Sequence, residues 1–384
     1  MKSKTAVVGV MLASVSLWAQ QESAVGSRNG YVTMGLVLQM WKVQPYYHPI
    51  SQLSLPLALF LPVGNRYSVS LQHTPAYSWW QENQRITGLS DTWIQGNALF
   101  WGEKLLLNAG ICIPTGKAKL DSVQYILSKE GLSRNIYAFR LPLYGQGFCF
   151  KGGFALAYPV HEKVVLGLGA QYLLRSSYHP VEFSYQVMGP DNAIVEKIWN
   201  EAYKPGDEIS TYVGLDVRPL KTVKVSLDGY YTHYWKDFLD GNEVYGSGEK
   251  ITANLNVLVQ MDVRYLWMNM LYRHRGKNDI LQGFNLQQEE KNSNGYQVET
   301  SWVFKAADFV NGGILFLLDG RFYGINELGY GNDNVLGGGL GITFRYQENQ
   351  ELEFTFKYLF GSKKTEEARN LEGLETLIRL RAEF

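Results

Sequence analysis

The fold of this chain is indicated most clearly by LETLIRLRAEF, residues 374–384. Successive side chains of a β-strand point to opposite faces of its sheet. One face of this stretch is apolar apart from a threonine, and it consists of Leu374, Thr376, Ile378, Leu380, Ala382 and Phe384. The other face consists of Glu375, Leu377, Arg379, Arg381 and Glu383. An apolar face opposite an ionic one suits a strand between lipid and a wet lumen, although a strand bordering a soluble core can also show it.

The same alternation recurs along the chain. In residues 251–262 the odd positions are all apolar, and the even positions are polar except Leu258. Residues 67–72, 223–228 and 351–360 alternate in the same way. A helical period would scatter these side chains around a cylinder, so the pattern predicts strands. Sixteen strands are expected, near residues 30–42, 50–61, 66–79, 90–101, 104–114, 143–158, 163–177, 209–218, 222–235, 250–261, 264–274, 295–305, 312–323, 334–346, 351–360 and 373–384.

Short and long connections alternate between these strands. Short polar turns fall at residues 64–66, 102–104, 161–163, 219–221 and 347–350. Long segments fall near residues 80–90, 115–142, 178–208, 236–249, 275–294, 324–333 and 361–372. Short periplasmic turns and long extracellular loops are typical of outer-membrane barrels, and a soluble sandwich has no reason to segregate them. The chain is therefore predicted to be all-β, a closed antiparallel transmembrane β-barrel of sixteen strands, or of fourteen or twelve if neighbouring segments merge.

The N-terminus predicts export. Lys2 and Lys4 precede an apolar stretch at residues 6–18, and a plausible cleavage site follows at 17–19. Such a stretch is too short to span a bilayer comfortably, so residues 1–19 read as a signal peptide. Residues 20–384 would then form a single barrel domain in the bacterial outer membrane. With 36 basic and 36 acidic residues, the chain shows no basic excess that would indicate a nucleic-acid partner.

Catalytic, metal and cofactor sites are not predicted. The six histidines are scattered, with no paired ligand spacing, and no nucleophile-elbow motif is present. Two cysteines, Cys112 and Cys149, are too few for a disulfide scaffold. If their strands pair, the expected register sets them several residues apart, which favours free, packed thiols.

One long connection differs from the others. Leu120, Val123 and Leu127 recur at helical spacing, and Gly131 is a suitable helix stop. A short amphipathic helix here could fold into the barrel mouth and form a constriction. The alternative is a helix that caps the rim or packs against neighbouring loops.

Alternation also predicts which charges face the lumen. A charge on the lipid face costs about 2–4 kcal/mol near the midplane, so charged positions are expected to point inward. The candidate lumen-lining residues are Lys224, Asp228, Asp319, Arg321, Glu353, Lys357, Arg379 and Arg381. They could determine ion selectivity, or they could form cross-strand ion pairs that stabilise the wall. Because both signs are interleaved, ion pairs are favoured and strong ion selectivity is not expected.

Two stretches and the final phenylalanine carry a family resemblance. Residues 88–100 read GLSDTWIQGNALF, and residues 107–117 read LNAGICIPTGK, with Pro-Thr-Gly ending a strand before a long loop. With Phe384, they resemble the outer-membrane transporters of the FadL-like and phenol-degradation (MetA-pathway) channel group. The resemblance implies an outer-membrane channel for hydrophobic compounds.

The sequence therefore predicts passive uptake of small, hydrophobic or aromatic compounds, without energy coupling. A general hydrophilic porin is the alternative, with residues 116–131 as its constriction. A third possibility is a structural or secretion-associated barrel that binds a protein partner through its long loops. The expected partners are outer-membrane lipid, a small-molecule solute and the barrel-assembly machinery, which would recognise the C-terminal strand.

Overall fold

The computed structural model of this chain describes residues 29–44, 48–81, 84–188, 194–262, 264–282, 285–289, 295–309, 311–324, 332–347, 349–364 and 368–384. The predicted signal peptide, residues 1–19, lies outside the described residues. The strands of the described part are β1 (Tyr31–Val43), β2 (Ile50–Ser54), β3 (Leu57–Val63), β4 (Tyr67–His73), β5 (Pro75–Trp79), β6 (Arg85–Leu89), β7 (Thr92–Phe100), β8 (Leu105–Ile113), β9 (Cys149–His161), β10 (Val164–Arg175), β11 (Phe183–Met188), β12 (Ile194–Trp199), β13 (Tyr203–Lys204), β14 (Glu208–Leu220), β15 (Val223–Tyr234), β16 (Lys236–Leu239), β17 (Asn242–Gly246), β18 (Lys250–Met261), β19 (Arg264–Arg275), β20 (Asp279–Gln282), β21 (Asn285–Gln288), β22 (Tyr296–Phe309), β23 (Gly312–Tyr323), β24 (Asp333–Tyr346), β25 (Gln350–Lys364) and β26 (Ala368–Glu383).

A short helical stretch lies between β8 and β9. It begins with α1 (Ser122–Ile126) and continues as a π-helical turn (Leu127–Leu132) and a 3₁₀ turn (Asn135–Tyr137). Across the described ranges, no helix has the length and apolar character needed to cross a membrane.

Nineteen of the strands lie side by side in one antiparallel sheet. The sheet closes on itself because β1 pairs with β26, from Tyr31 opposite Glu383 to Val43 opposite Leu371. Three strands of the barrel wall are each interrupted and therefore appear as two shorter strands: β2 with β3, β4 with β5, and β6 with β7. Counted as wall-crossing strands, or spans, the nineteen strands make sixteen. The prediction of a closed antiparallel barrel is confirmed with sixteen strands rather than fourteen or twelve.

The divided spans are neighbours, and the wall remains hydrogen-bonded where they break. Pro56 separates β2 from β3 and has no N–H to donate. Its carbonyl still accepts from Gly35 N at 2.9 Å, and the carbonyl of Pro75 accepts from Leu55 N at 2.8 Å. The prolines therefore interrupt the strands without opening the wall at these positions.

The two faces of β25 show which side of the barrel wall points outward and which points to the interior. Phe354, Phe356 and Phe360 point outward and are 40%, 49% and 53% exposed, whereas Glu353 and Thr355 on the other face are buried. Other strands also expose large apolar side chains on their outward faces. Such a surface suits lipid, and a closed barrel pairs its backbone polar groups around the wall. The chain is a β-barrel of the bacterial outer membrane.

The connections segregate as predicted, with short turns on one side and long connections on the other. Strands β13, β16, β17, β20 and β21 come from three long connections and form a separate five-stranded sheet. Asp237 of β16 stabilises this sheet, because its carboxylate accepts hydrogen bonds from the hydroxyl of Tyr203 and from Gly206 N. These three extracellular connections are therefore joined to one another.

Candidate functional site in the barrel lumen

The connection between β8 and β9 folds into the barrel, and residues 114–148 are named the inserted segment. Asp121 caps the N-terminus of helix α1, and its carboxylate accepts from Gln124 N at 2.8 Å. The side chain of Gln124 accepts in return from Asp121 N at 3.4 Å. This capping box satisfies two backbone donors that the first turn leaves unpaired.

Two buried glutamines of the wall bind the backbone of the inserted segment. Gln39 of β1 donates to Ala138 O at 3.0 Å and accepts from Arg140 N at 2.8 Å. Gln52 of β2 donates to Leu141 O and accepts from Leu141 N, both at 2.8 Å. A carboxamide offers both a donor and an acceptor, so each glutamine pairs with the segment as a neighbouring strand would.

Strand β23 binds the segment from another side. Arg321 donates to Ile136 O at 2.8 Å, and the hydroxyl of Tyr323 donates to Asn135 O at 3.2 Å. Because β23 to β26 are followed around the barrel by β1 and β2, these contacts cover one continuous arc of the wall.

Apolar side chains fill the space between the segment and this arc. Leu127 and Leu132 are fully buried there. The cluster joins Leu127, Leu132, Ile136, Tyr137, Phe139, Leu141 and Tyr144 of the segment to Trp41, Val43, Ile50, Ala76, Ile86, Tyr323, Val335, Leu359 and Leu371 of the wall. Burying one large aliphatic side chain contributes about 1.5–3 kcal/mol, so the segment is a packed part of the barrel interior.

The three candidate constriction residues have different environments. Leu127 is in the apolar cluster and Leu120 packs against it. Leu120 also forms a backbone bridge with Val181 of another extracellular connection. Val123 is 39% exposed and contributes little to the packing. The part of the segment from Leu127 to Tyr144 packs against the inner face of the wall, whereas the helix before it has no buried residue. The role of the segment in limiting solute size stays a prediction.

A buried charge network lies against the inserted segment. Lys357 Nζ lies 2.6 Å from Asp319 Oδ2 and 2.7 Å from Glu375 Oε1. Arg140 of the segment reaches the same Glu375 oxygen at 3.4 Å, and Gln39 donates to the other oxygen at 2.9 Å. Buried charges are tolerated when they are paired and hydrogen-bonded, which this arrangement provides. The network joins the segment to β1, β23, β25 and β26.

Further inward charges pair towards the periplasmic end of β25 and β26. Glu353 accepts a hydrogen bond from Arg379, its direct neighbour in the register. Arg381 lies 3.0 Å from Glu383, and its guanidinium lies 4.9 Å from the ring centroid of Tyr31.

Two of the eight candidate lumen-lining residues lie on the far side of the barrel. Lys224 Nζ is 3.5 Å from Asp216 Oδ2. Asp228 is buried, and within the described part of the chain its Oδ1 has no hydrogen-bond partner. The candidate charges are therefore distributed among separate groups rather than gathered in one site, and their role in selectivity stays a prediction.

Asp91, between β6 and β7, binds both ends of the inserted segment. Its Oδ1 accepts from Gly116 N at 2.9 Å, and its Oδ2 accepts from Gln146 N at 2.6 Å. Hydrogen bonds to a charged acceptor contribute about 1.5–3 kcal/mol each. Asp91 therefore holds the two ends close together where the segment leaves the wall.

Several of these residues could not be assigned a role from sequence patterns. Gln39 and Gln52 are polar residues without distinctive spacing, and Asp91 belongs to the resembling stretch 88–100 but was assigned no role there. A sequence pattern that indicates burial is present in the inserted segment itself, where the large apolar residues Tyr137, Phe139 and Leu141 occupy every second position of an apparent loop. A solvated loop has no need for apolar side chains at every second position, so this pattern would have indicated burial.

The structure corrects the expected register of the cysteines. Cys112 and Cys149 are direct partners in the pair formed by β8 and β9, rather than several residues apart. Strand β9 begins at Cys149, whereas the alternation had suggested a start near residue 143. Both thiols are free and buried. Within the described residues, no group of three or more His, Cys, Asp and Glu side chains could hold a metal ion.

No protein-family model and no curated protein matches this sequence. The FadL-like and phenol-degradation resemblance therefore stays a prediction.

Solved outer-membrane proteins do match the fold. The high-pH structure of Pseudomonas putida OprB covers 93% of this chain and 94% of its own, with 11% identity and a TM-score of 0.48. The CymD monoaromatic hydrocarbon channel covers 93% and 88%, with 11% identity and a TM-score of 0.42. Pseudomonas aeruginosa OpdL covers 93% and 99%, with 11% identity and a TM-score of 0.37. All three TM-scores are below 0.5.

Proposed function

We propose that this chain is a passive outer-membrane channel for small solutes. The observation that carries the proposal is the inserted segment, which Gln39 and Gln52 bind inside the barrel. A lumen narrowed by an inward-folded chain admits only small molecules. The proposal needs no energy coupling, cofactor, metal or catalytic step.

The solute path would run along the arc that the segment leaves uncovered, from β7 to β22. Trp93, Tyr212 and Tyr230 lie on inward faces of this arc and are only partly buried. The rings of Tyr212 and Tyr230 are neighbours, with centroids 6.1 Å apart. Aromatic rings attract flat apolar molecules through offset and edge contacts. We therefore assign small aromatic or apolar compounds as the first solute class.

A general hydrophilic porin is the second candidate, and the polar side chains on the same arc favour it. Asn269 Nδ2 donates to Asn254 Oδ1 at 2.6 Å and to Asn256 Oδ1 at 2.8 Å. Asp228 lies directly opposite Asn254 in the register. Amide and carboxylate groups of this kind would hydrogen-bond to hydroxyl-rich solutes.

Vesicle uptake and bilayer recording distinguish the candidates. For the first solute class, we expect a neutral aromatic alcohol to enter protein-containing vesicles faster than a sugar alcohol of similar mass, with a small steady conductance. A large conductance with faster sugar-alcohol uptake would favour the porin. Absence of both activities would contradict the channel and leave the partner-binding barrel.

Trp93 provides a direct test of the aromatic path. We expect Trp93→Ala to slow uptake of the aromatic alcohol severalfold while leaving sugar-alcohol uptake unchanged. Trp101→Ala is the matched control, because Trp101 lies at a turn outside the lumen and is 73% exposed. Equal uptake of the aromatic alcohol by both variants would contradict a path along Trp93.

A further inference from the structure

Cys112 and Cys149 face each other at the base of the inserted segment. They are direct partners in the antiparallel pair of β8 and β9. Opposite residues of antiparallel strands have Cα atoms about 4.5 or 5.5 Å apart, depending on the type of pair. Both separations lie within the range of about 4.4–6.8 Å that disulfides require. The register of the two strands therefore allows a disulfide between them.

The position of the pair gives such a bond a structural consequence. Strand β8 ends at Ile113 and β9 begins at Cys149, so a bond would close a ring around the whole inserted segment. Asp91 binds Gly116 and Gln146 within the same ring. The disulfide and the carboxylate of Asp91 would thus hold the two ends of the segment together at two neighbouring positions along the wall.

Other inward side chains enclose the pair. Trp93 and Leu173 pack against the two cysteines, on the inward face of the wall. Lys151 follows Cys149 on the same face, and its ammonium lies 4.8 Å from the ring centroid of Trp93. Both cysteines are buried in the folded barrel.

We propose that Cys112 and Cys149 form a disulfide in the mature protein and thereby hold the inserted segment in the lumen. An exported chain crosses the periplasm, an oxidising compartment, before its barrel closes. One thiolate attacks a disulfide donor of the thiol-oxidase class and forms a mixed disulfide, and the second thiolate displaces the donor sulfur. Two protons and two electrons leave the cysteine pair, and the donor is reduced to its dithiol.

Mass spectrometry tests the bond. The protein is purified from outer membranes without reductant, then denatured in the presence of iodoacetamide so that every free thiol is labelled. We expect an unlabelled chain whose mass is lower by two hydrogen atoms than that of the dithiol, and two labels when reductant is added first. Trypsin should release peptides 105–117 and 141–151 as one linked species. Two labels on most chains without reductant would overturn the proposal.

Serine variants test the consequence in the folded barrel. Heat-modifiable gel mobility first shows whether the double variant Cys112→Ser/Cys149→Ser folds. We expect trypsin to cleave the inserted segment severalfold faster in this variant, and in reduced native protein, than in the oxidised protein. Equal cleavage rates in the serine variant, the reduced native protein and the oxidised native protein would overturn the proposal that the disulfide restrains the segment. If the variant does not fold, the comparison of oxidised with reduced native protein decides.

Discussion

At the scale of single residues, Glu375 joins the inserted segment to the wall. Its carboxylate lies 2.7 Å from Lys357 and 3.4 Å from Arg140, and it accepts a hydrogen bond from Gln39. Removing its charge takes one of two carboxylates from Lys357, which keeps only Asp319 at 2.6 Å, and takes the same carboxylate from Arg140. Three separate elements, β1, β25 and the inserted segment, therefore depend on one carboxylate of β26.

Glu375→Gln should be strongly destabilising. The amide keeps the shape of the side chain but removes the charge, and Lys357 keeps Asp319, so the free energy of unfolding should fall by about 3 kcal/mol. Glu383→Gln on the same strand is the matched control. Its carboxylate, 3.0 Å from Arg381, is 38% exposed, so we expect a loss of about 0–1 kcal/mol. Urea titration of both variants in lipid vesicles measures the difference, and equal losses would contradict the role of Glu375.

At the scale of elements, the inserted segment depends on restraints at both ends. Asp91→Ala removes the acceptors of Gly116 N and Gln146 N. We expect trypsin to cleave the segment faster in this variant and the channel conductance to become larger and less steady. The matched control is Asp207→Ala, because Asp207 also accepts two hydrogen bonds, from Arg175 N and the Tyr172 hydroxyl, at another part of the rim. Unchanged cleavage in Asp91→Ala would show that the packed side chains alone hold the segment.

Strand β24 offers an element-scale test of the wall. A Cβ added to Gly339 would meet the carbonyl oxygen of Phe356 and would lie 2.6 Å from Lys357 Cγ. At the neighbouring Gly338 it would meet nothing nearer than 3.8 Å. Gly339→Ala should therefore cost about 1–3 kcal/mol through overpacking, while Gly338→Ala should be nearly neutral. Urea midpoints of the two variants check this, and similar values would contradict the predicted crowding at Gly339.

The sequence predicts the barrel wall better than the lumen, because the wall follows from a local pattern whereas the lumen depends on contacts between residues far apart along the chain. Period-two alternation is local, so the strand expected at residues 312–323 is observed as β23 with those bounds. The inserted segment is bound by Gln39 and Gln52, which lie 99 and 89 residues from their partners along the chain. No local period encodes such contacts. The helical spacing around Leu127 could predict a helix but not the surface on which it packs.

At the scale of the whole molecule, closure depends on the pairing of the two ends. Phe384 exchanges two backbone hydrogen bonds with Gly30, and its side chain is exposed on the outward face. We expect deletion of Phe384 to lower the amount of heat-modifiable barrel in the outer membrane, because the assembly machinery would recognise this end. Leu380→Ala is the control for a lost outward apolar side chain. If refolding in detergent without that machinery is equally impaired, Phe384 acts through closure alone.

The balance of inward charge across the whole lumen predicts weak ion selectivity. Arg379 is paired with Glu353, Lys224 with Asp216, and Lys357 with two carboxylates, so neither sign dominates. In a KCl gradient we expect a reversal potential close to zero. Glu353→Gln should shift it towards anion preference, because the carboxylate charge next to Arg379 is then removed.

Glu351→Gln is the control on the same strand for the selectivity measurement. The pair of Glu351 with Arg345 spans 3.8 Å, and both side chains are solvated at the end of the wall, so salt screens its field. Its variant should leave the reversal potential near the wild-type value. A strong preference of the wild-type protein for cations or anions would show that charges other than the paired ones control ion passage. Equal shifts of the reversal potential in both variants would show the same. A shift in Glu353→Gln alone would place the ion path past Arg379, between the inserted segment and the periplasmic end of the barrel.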